Sequence, residues 1–232
     1  MHKISSIMEQ ITQFSNIDLT GISAVLLDLD DTIYCYDSCH KIAISHCYQH
    51  YTNSIDNKIS FIDFNIFYNQ KRSDVVKKLS SNGSCRSRLF AFQAMFEEIK
   101  TDNNFQLAQE YDEIYWNIFI DSMNINKNAL LFIQKCRKLN IDICIVTDMI
   151  AKIQIRKLQK LGISQYIKYL VTSEEVGVEK PNHKIFQTAL NKLDLPSQNV
   201  IMIGDNEEKD IKGAESIGIK SYKILIKNSN NV

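Results

Sequence analysis

Ala24-Val25-Leu26-Leu27-Asp28-Leu29-Asp30-Asp31-Thr32 decides the fold of this chain. Four consecutive apolar residues that run straight into acids read as a strand buried on both faces, as in a parallel sheet. The same phrase recurs downstream. Ile141 to Val146 leads into Thr147-Asp148, and Ile167 to Val171 is a third short run. Val200 to Ile203 closes on Gly204-Asp205, and Lys220 to Leu225 comes last. Between the runs the apolar spacing turns helical over Asn128 to Leu139, Ile150 to Leu161, Asn182 to Leu193 and Glu208 to Ile217. Gly162 and Gly218 stand where helix C-caps are expected. Strand–helix alternation of this kind predicts an α/β fold, a doubly wound, Rossmann-like parallel sheet with helices on both faces.

One interval is too long for that pattern. Asp28 and Thr147 stand 119 positions apart, whereas a βαβ unit needs about 30 residues. From about Asp37 to Asn124 the patterning is helical and rich in aromatics, Tyr48, Phe64, Tyr68, Phe92, Tyr111, Tyr115, Trp116 and Phe119 among them, with Asn82-Gly83 as its clear breaker. The expected organisation is therefore an α/β core from residues 1–34 and 125–232, and an inserted all-helical domain of about four helices over 35–124. Ile4, Ile7, Met8 and Ile11 suggest a short amphipathic helix at the start, and the Asn/Ser-rich end reads as frayed.

Bulk properties narrow the function. Across 232 residues the formal net charge is zero, which gives no bulk attraction to nucleic acid or to acidic membranes. No run of 18 apolar residues occurs, and the first residues lack the features of a secretory signal. Six cysteines without CxxC spacing read as reduced thiols of a cytoplasmic protein. Cys35, Cys39 and His40 lie close together but lack the second ligand pair of a zinc site. Monomer and homodimer remain equally open.

The polar clusters each follow a strand or its loop: Asp28 to Thr32, Thr147-Asp148, Lys180-Pro181, and Gly204-Asp205 through Asp210. Ligands of open parallel sheets bind at the carboxyl ends of the strands, so these distant groups should converge. Crowded carboxylates with oxygen-only donors suit Mg²⁺. With Lys180 added, the pocket suits a phosphoryl group, whose transfer needs positioning and charge neutralisation. Side-chain alternation at an extended strand end would point Asp28 and Asp30 the same way. One would attack phosphorus while the other exchanges protons with the leaving group and with water. That second role requires Asp30 to be protonated for part of the cycle, and its acidic surroundings are expected to favour this.

The ordered set, Asp28-Leu29-Asp30-Asp31-Thr32, Val146-Thr147-Asp148, Gly177 to Lys180-Pro181, and Gly204-Asp205-Asn206-Glu207-Glu208-Lys209-Asp210, resembles the haloacid dehalogenase-like hydrolase superfamily. The likeness is to its phosphatase branch with a helical (type C1) cap, subfamily IA-like. It implies Asp28 as nucleophile and metal ligand, and Asp30 as acid/base whose backbone carbonyl also meets Mg²⁺. It further implies Thr147 and Asp148 at the phosphate, Lys180 neutralising phosphoryl and nucleophile, Asp205 on the metal, and Asp210 with Asn206 supporting the metal shell. The carbon–halogen hydrolases of the group lack an acid at the position of Asp30 and need no metal, so Asp30 and Asp205 argue against that chemistry. The inserted domain would be a cap that closes over a small phosphorylated substrate. Within it, Arg86 and Arg88 follow the glycine break, open a helix and are candidates for substrate contact.

Taken alone, several of these residues have plainer readings. Asp30 and Asp31 could cap a turn, Lys180 could be a surface lysine, and Arg86 and Arg88 could be cap-surface residues. Two other classes also stay open: a phosphoacceptor module of the response-regulator type, and a binding protein with a relict site. Arg86/Arg88 and Asp30 to Tyr34 look most like branches acting on sugar-acid phosphates or nucleoside monophosphates.

Overall fold

The apolar runs at 24–27, 142–147, 169–172, 200–204 and 220–223 form a single five-stranded parallel sheet. The computed structural model describes residues 12–56, 58–80 and 83–226, so the amphipathic stretch at Ile4 to Ile11, Asn82 and the Asn/Ser-rich end lie outside the described residues. The strands are β1 (Ala24–Leu27), β2 (Asp142–Thr147), β3 (Tyr169–Thr172), β4 (Val200–Gly204) and β5 (Lys220–Lys223), in the order β3-β2-β1-β4-β5. β1 lies in the middle, paired with β2 and β4, and all four of its residues are fully buried. That explains its continuous apolar run. Having built β3 on one side of β1, the chain crosses to build β4 on the other, which opens a crevice at the carboxyl ends of β1 and β4.

Four helices are inserted between β1 and β2: α1 (Tyr36–Ser54), α2 (Phe61–Lys78), α3 (Arg88–Glu98) and α4 (Asn104–Asp121). Their aromatics interlock, with Phe96 edge-on to Tyr111 at 4.8 Å and Tyr68 against Phe92 at 5.0 Å. α5 (Lys127–Lys138), α6 (Ala151–Lys160), α7 (Ser173–Val176) and α8 (His183–Leu193) complete the helices up to β4. Gly162 and Gly218 are left-handed, at φ 67° and 79°, as the C-cap reading requires. The expected helix from Glu208 to Ile217 differs: Glu207–Lys212 winds as a π-helix before a short α turn at Gly213–Glu215. Asp210, within that wide turn, accepts from the backbone N–H of Asn206 at 3.0 Å. All six cysteines are free, and no helix among the described residues is long and apolar enough to cross a membrane.

One close approach fixes the inserted helices against the sheet edge. A Cβ on Gly83, just before α3, would stand 2.5 Å from the backbone of Glu174 in α7. Gly83→Ala should therefore force the two segments apart and lower stability by about 1–3 kcal/mol, the usual scale of overpacking. A urea-unfolding midpoint unchanged from wild type would refute this contact.

Candidate active site

β1 ends at Leu27, and Asp28 and Asp30 follow it to the same cavity. The chain then turns tightly, with Asp31 left-handed at φ 59° and its carboxylate accepting the Tyr36 backbone N–H at 2.8 Å. Asp28, Asp30, Thr147, Asp148, Lys180, Asp205, Asn206 and Asp210 all line one cavity of about 220 Å³. Arg86 and Arg88 line its opposite wall, joined there by Tyr36 and Arg72. The ten residues to which the resemblance or the inserted domain gave a site role thus line the same cavity.

At the centre is Lys180, 4% exposed. Its ammonium donates to Asp28 Oδ1 at 2.6 Å, Asp210 Oδ1 at 2.6 Å and the Val146 carbonyl at 3.0 Å, which uses all three of its protons. Burial opposes its charge, but Asp210 and Asp28 outweigh burial and hold its pKa well above the ordinary lysine value. Asp28 Oδ2 accepts the Thr32 hydroxyl at 2.8 Å, and that hydroxyl lies 3.4 Å from Asp205 Oδ1. Burial, with Asp210 and Asp205 nearby, raises the Asp28 pKa well above the usual carboxylate range despite Lys180. Burial, then Asp210 and Asp31, lift Asp205 to about 6.

Oxygens of Asp28, Asp205 and Asp210 lie within 4.8 Å of one another. Such an oxygen-only group, with its charges crowded and partly desolvated, fits a hard divalent cation. Asp210 has both oxygens engaged, by Lys180 and by the Asn206 backbone N–H, and Asn206 turns its side chain to the Lys209 backbone N–H. Asp28 likewise has both oxygens engaged, by Lys180 and by Thr32, so Asp205, which takes only the long Thr32 contact at 3.4 Å, is the carboxylate of the three most open to a cation, with Asp210 and Asn206 shaping the turn beneath. Gly204 is required there, since a Cβ would meet the Asp210 carboxylate at 2.3 Å.

Asp30 departs from expectation. Its neighbours are not chiefly acids. Lys157 Nζ donates to Oδ1 at 2.6 Å, Gln154 Nε2 to Oδ2 at 3.1 Å, and the Tyr34 hydroxyl donates as well. Burial alone would raise its pKa, but Lys157, with the hydrogen bonds from Tyr34 and Gln154, holds it below the ordinary value. Asp30 is thus stabilised as a carboxylate. Lys157 is wholly buried and lies 5.3–5.7 Å from the ring centroids of Tyr34, Tyr36, Trp116 and Phe119. Gln154 also donates to Thr147 Oγ1 at 2.5 Å, which leaves the threonine's own proton available to an acceptor in the cavity.

Asp148 joins two loops: Oδ1 accepts the Lys180 backbone N–H at 2.8 Å and Oδ2 the Lys209 ammonium at 2.7 Å. Arg86 is neither a free surface group nor open to a ligand through its fork. It clasps Glu179 with Nε at 2.6 Å and Nη2 at 2.7 Å. Arg88 is buried, between the Tyr36 hydroxyl and the rings of Tyr115 and Trp116. The sequence reading passed over Lys157, Gln154, Glu179, Lys209 and Arg72. The first two carried a signal, since they fall at helical spacing with buried Ile153 and Leu158 on the inward face of α6.

The comparisons with known proteins agree with this geometry. A model of the haloacid dehalogenase-like hydrolases matches residues 25–224. Ribulose-1,5-bisphosphate 5-phosphatase from Halopiger xanaduensis is 29% identical over 199 residues, covering 86% of this chain and 83% of that protein. Glyceraldehyde 3-phosphate phosphatase from Methanopyrus kandleri is 27% identical, covering 88% of this chain and 84% of that protein. Among solved structures, a 2-haloacid dehalogenase from Pseudomonas syringae superposes with a TM-score of 0.72 at 18% identity over 91% of each chain, a likeness of fold.

Two outcomes test the networks. Lys157→Met should lower stability by about 3 kcal/mol, because it strands the Asp30 charge in a mostly dry site. Adding Asp30→Asn should recover part of that loss in urea unfolding. Glu179 is depressed from 4.5 to about 2, because hydrogen bonding and attraction from Arg86 outweigh its burial. Its stabilising contribution is therefore complete above about pH 4.5 and fades as pH falls toward 2. The gap in urea midpoint between wild type and Glu179→Gln should be steady at pH 6–7 and narrow below about pH 4.5; a gap that widens on acidification would contradict this.

With four motifs converging on one cavity at the switch point of the sheet, and with the family match spanning all of them, the chain belongs to the haloacid dehalogenase-like hydrolases.

Proposed function

We propose that this protein is a Mg²⁺-dependent phosphatase that hydrolyses a small phosphorylated metabolite through an aspartyl-phosphate on Asp28. The carrying observation is the buried Lys180 ammonium, held between Asp28 and Asp210 beside Asp205 at the sheet's crevice. In this reading an Asp28 carboxylate oxygen attacks phosphorus while the bond to the departing oxygen breaks, and Asp30 gives that oxygen a proton. Water then attacks the phosphoryl-aspartate, Asp30 takes its proton, and inorganic phosphate leaves. Protonating Asp30 weakens its ion pair with Lys157, so we assign the proton to the substrate-bound state.

Thr147, whose hydroxyl already accepts from Gln154, would donate to a phosphoryl oxygen. The carboxylate of Asp148 is engaged by Lys180 and Lys209, which leaves its backbone N–H as the group to meet an anion. Mg²⁺, held by Asp28 and Asp205 with the Asp30 carbonyl and support from Asp210 and Asn206, would neutralise charge on the phosphoryl oxygens. Residues 35–124 would act as the cap and residues 1–34 with 125–232 as the core. Six free thiols suit a cytoplasmic setting.

Two relatives matched over more than four-fifths of their length, named as phosphatases of a pentulose bisphosphate and of a triose phosphate, support a sugar-type substrate. A cavity of about 220 Å³ lies below the roughly 300–1,000 Å³ typical of drug-sized ligands and favours that over a nucleoside monophosphate.

The test is turnover of p-nitrophenyl phosphate with Mg²⁺ and with chelator. Multiple turnovers are expected only with Mg²⁺, and Asp28→Asn should reduce kcat by about 10³-fold or more. A folded protein with no turnover in Mg²⁺ would instead be a relict, and one stoichiometric phosphorylation without release a phosphoacceptor module. Either overturns the proposal.

A further inference from the structure

Arg72 and Arg88 face the same cavity as Asp28 and Lys180, from the side of the inserted helices. Unlike Arg86, which is clasped by Glu179, neither forms an ion pair with any carboxylate among the described residues. Asp112 feels the charge of Arg88 without pairing with it; its carboxylate takes the Leu89 backbone N–H and the Trp116 side chain. Arg88 is 2% exposed. Its Nη1 donates to the Arg86 carbonyl at 3.3 Å and its Nη2 to the Tyr36 hydroxyl, while Nε has no hydrogen-bond partner. Stacking at 5.3 Å from Tyr115 and 5.6 Å from Trp116 fixes the guanidinium in place but does not neutralise it.

The surroundings register this unbalanced charge. Arg88, with burial second, lowers the pKa of Arg72. Burial, then Arg88 and Arg72, push His40 down to about 4, so it adds no charge at neutral pH. Tyr36 is held below its ordinary value even though burial acts to raise it, because Arg88 and Arg72 outweigh burial. Two adjacent, partly dry guanidinium groups repel each other, and the ordinary remedy is an anion shared between them. Guanidinium forks match the planar edge of a carboxylate or the oxygens of a phosphate. A neutral sugar hydroxyl would leave the repulsion in place.

We infer that Arg72 and Arg88 form a second anion subsite, so that the substrate carries, besides the phosphomonoester facing Asp28, a carboxylate or a second phosphate a few atoms away. The inference rests on the phosphatase reading above and narrows its substrate class to small bis-anions.

The test compares kcat/KM, in Mg²⁺, for 2-phosphoglycolate (a carboxylate tail), ribulose 1,5-bisphosphate (a phosphate tail) and glycerol 3-phosphate (a neutral tail). At least one bis-anion should exceed glycerol 3-phosphate by about tenfold or more, and the better one identifies the second anion as carboxylate or phosphate. Arg72→Gln, at a half-buried site, should erase most of that preference and do so mainly through KM. Arg88→Lys, which keeps the charge but removes the fork, should reduce it in part; if that variant does not fold, Arg72→Gln alone decides. Equal kcat/KM for all three substrates, or a preference that survives Arg72→Gln, overturns the subsite while leaving the phosphatase reading intact. Failure to turn over any of them, p-nitrophenyl phosphate included, overturns both.

Discussion

A single buried ammonium organises this molecule. Moving Lys180 out of water costs several kcal/mol unless every proton finds an acceptor, and here all three do. Those acceptors come from the end of β1, the end of β2 and the turn after β4, so one cation ties together three segments far apart in sequence. Asp28 and Asp210 would repel each other without it, and the Asp210 turn in turn shapes the approach to Asp205. Packing of apolar strands assembles the sheet. Lys180 determines how its carboxyl edge is arranged.

Among the contacts that tie the inserted helices to that edge, two reach the surroundings of the site. Arg86 clasps Glu179, the residue next to Lys180, and Lys209 links Glu179 to Asp148, which itself holds the Lys180 backbone N–H. On the other side, Trp116 and Phe119 of α4 pack around the Lys157 ammonium that holds Asp30. Moving the helices away would therefore loosen the loop bearing Lys180 and expose the partner of Asp30 to water. For the cap role proposed above, both ties would give a coupling of closure to chemistry a physical form.

How much of this the sequence revealed depended on the kind of signal each residue carried. The parallel sheet was legible because continuous apolar runs such as Ala24 to Leu27 have few other uses, and the acids were legible because each follows a strand. The length of the insertion followed from arithmetic on Asp28 and Thr147. What escaped was polar residues on inward helical faces. Lys157 falls in line with buried Ile153, and Arg72 falls four residues after buried Tyr68. A cation on such a stripe looks like a break in the amphipathic pattern and is readily passed over as surface. The surroundings of Asp30 were misjudged for a related reason: its neighbours in sequence are acids, but its neighbours in space are Lys157, Gln154 and Tyr34.

The division of charge across the cavity carries a consequence of its own. On the sheet side, once Asp30 is matched by Lys157 and Asp148 by Lys209, the carboxylates of Asp28, Asp205 and Asp210 face one ammonium. On the helix side, once Arg86 is matched by Glu179, Arg72 and Arg88 form no ion pair with a carboxylate among the described residues, Asp112 feeling the Arg88 charge without pairing with it. An anion drifting into such a cavity is drawn to the guanidinium wall and repelled from the carboxylates around Asp28, which is the wrong way round for the reaction proposed there. Two additions reverse this: a divalent cation among the three carboxylates, which turns the sheet side attractive to a phosphoryl group, and a second anionic group on the ligand, which occupies the guanidinium wall. Each removes a penalty the other leaves in place. A cation alone would leave the arginines repelling each other, and a bis-anion alone would press its phosphate against bare carboxylates. On the proposed reading the cavity is electrically complete only with both, and the arginines would orient the substrate as well as attract it: by holding the non-reacting end they would leave a phosphomonoester nowhere to settle but beside Asp28.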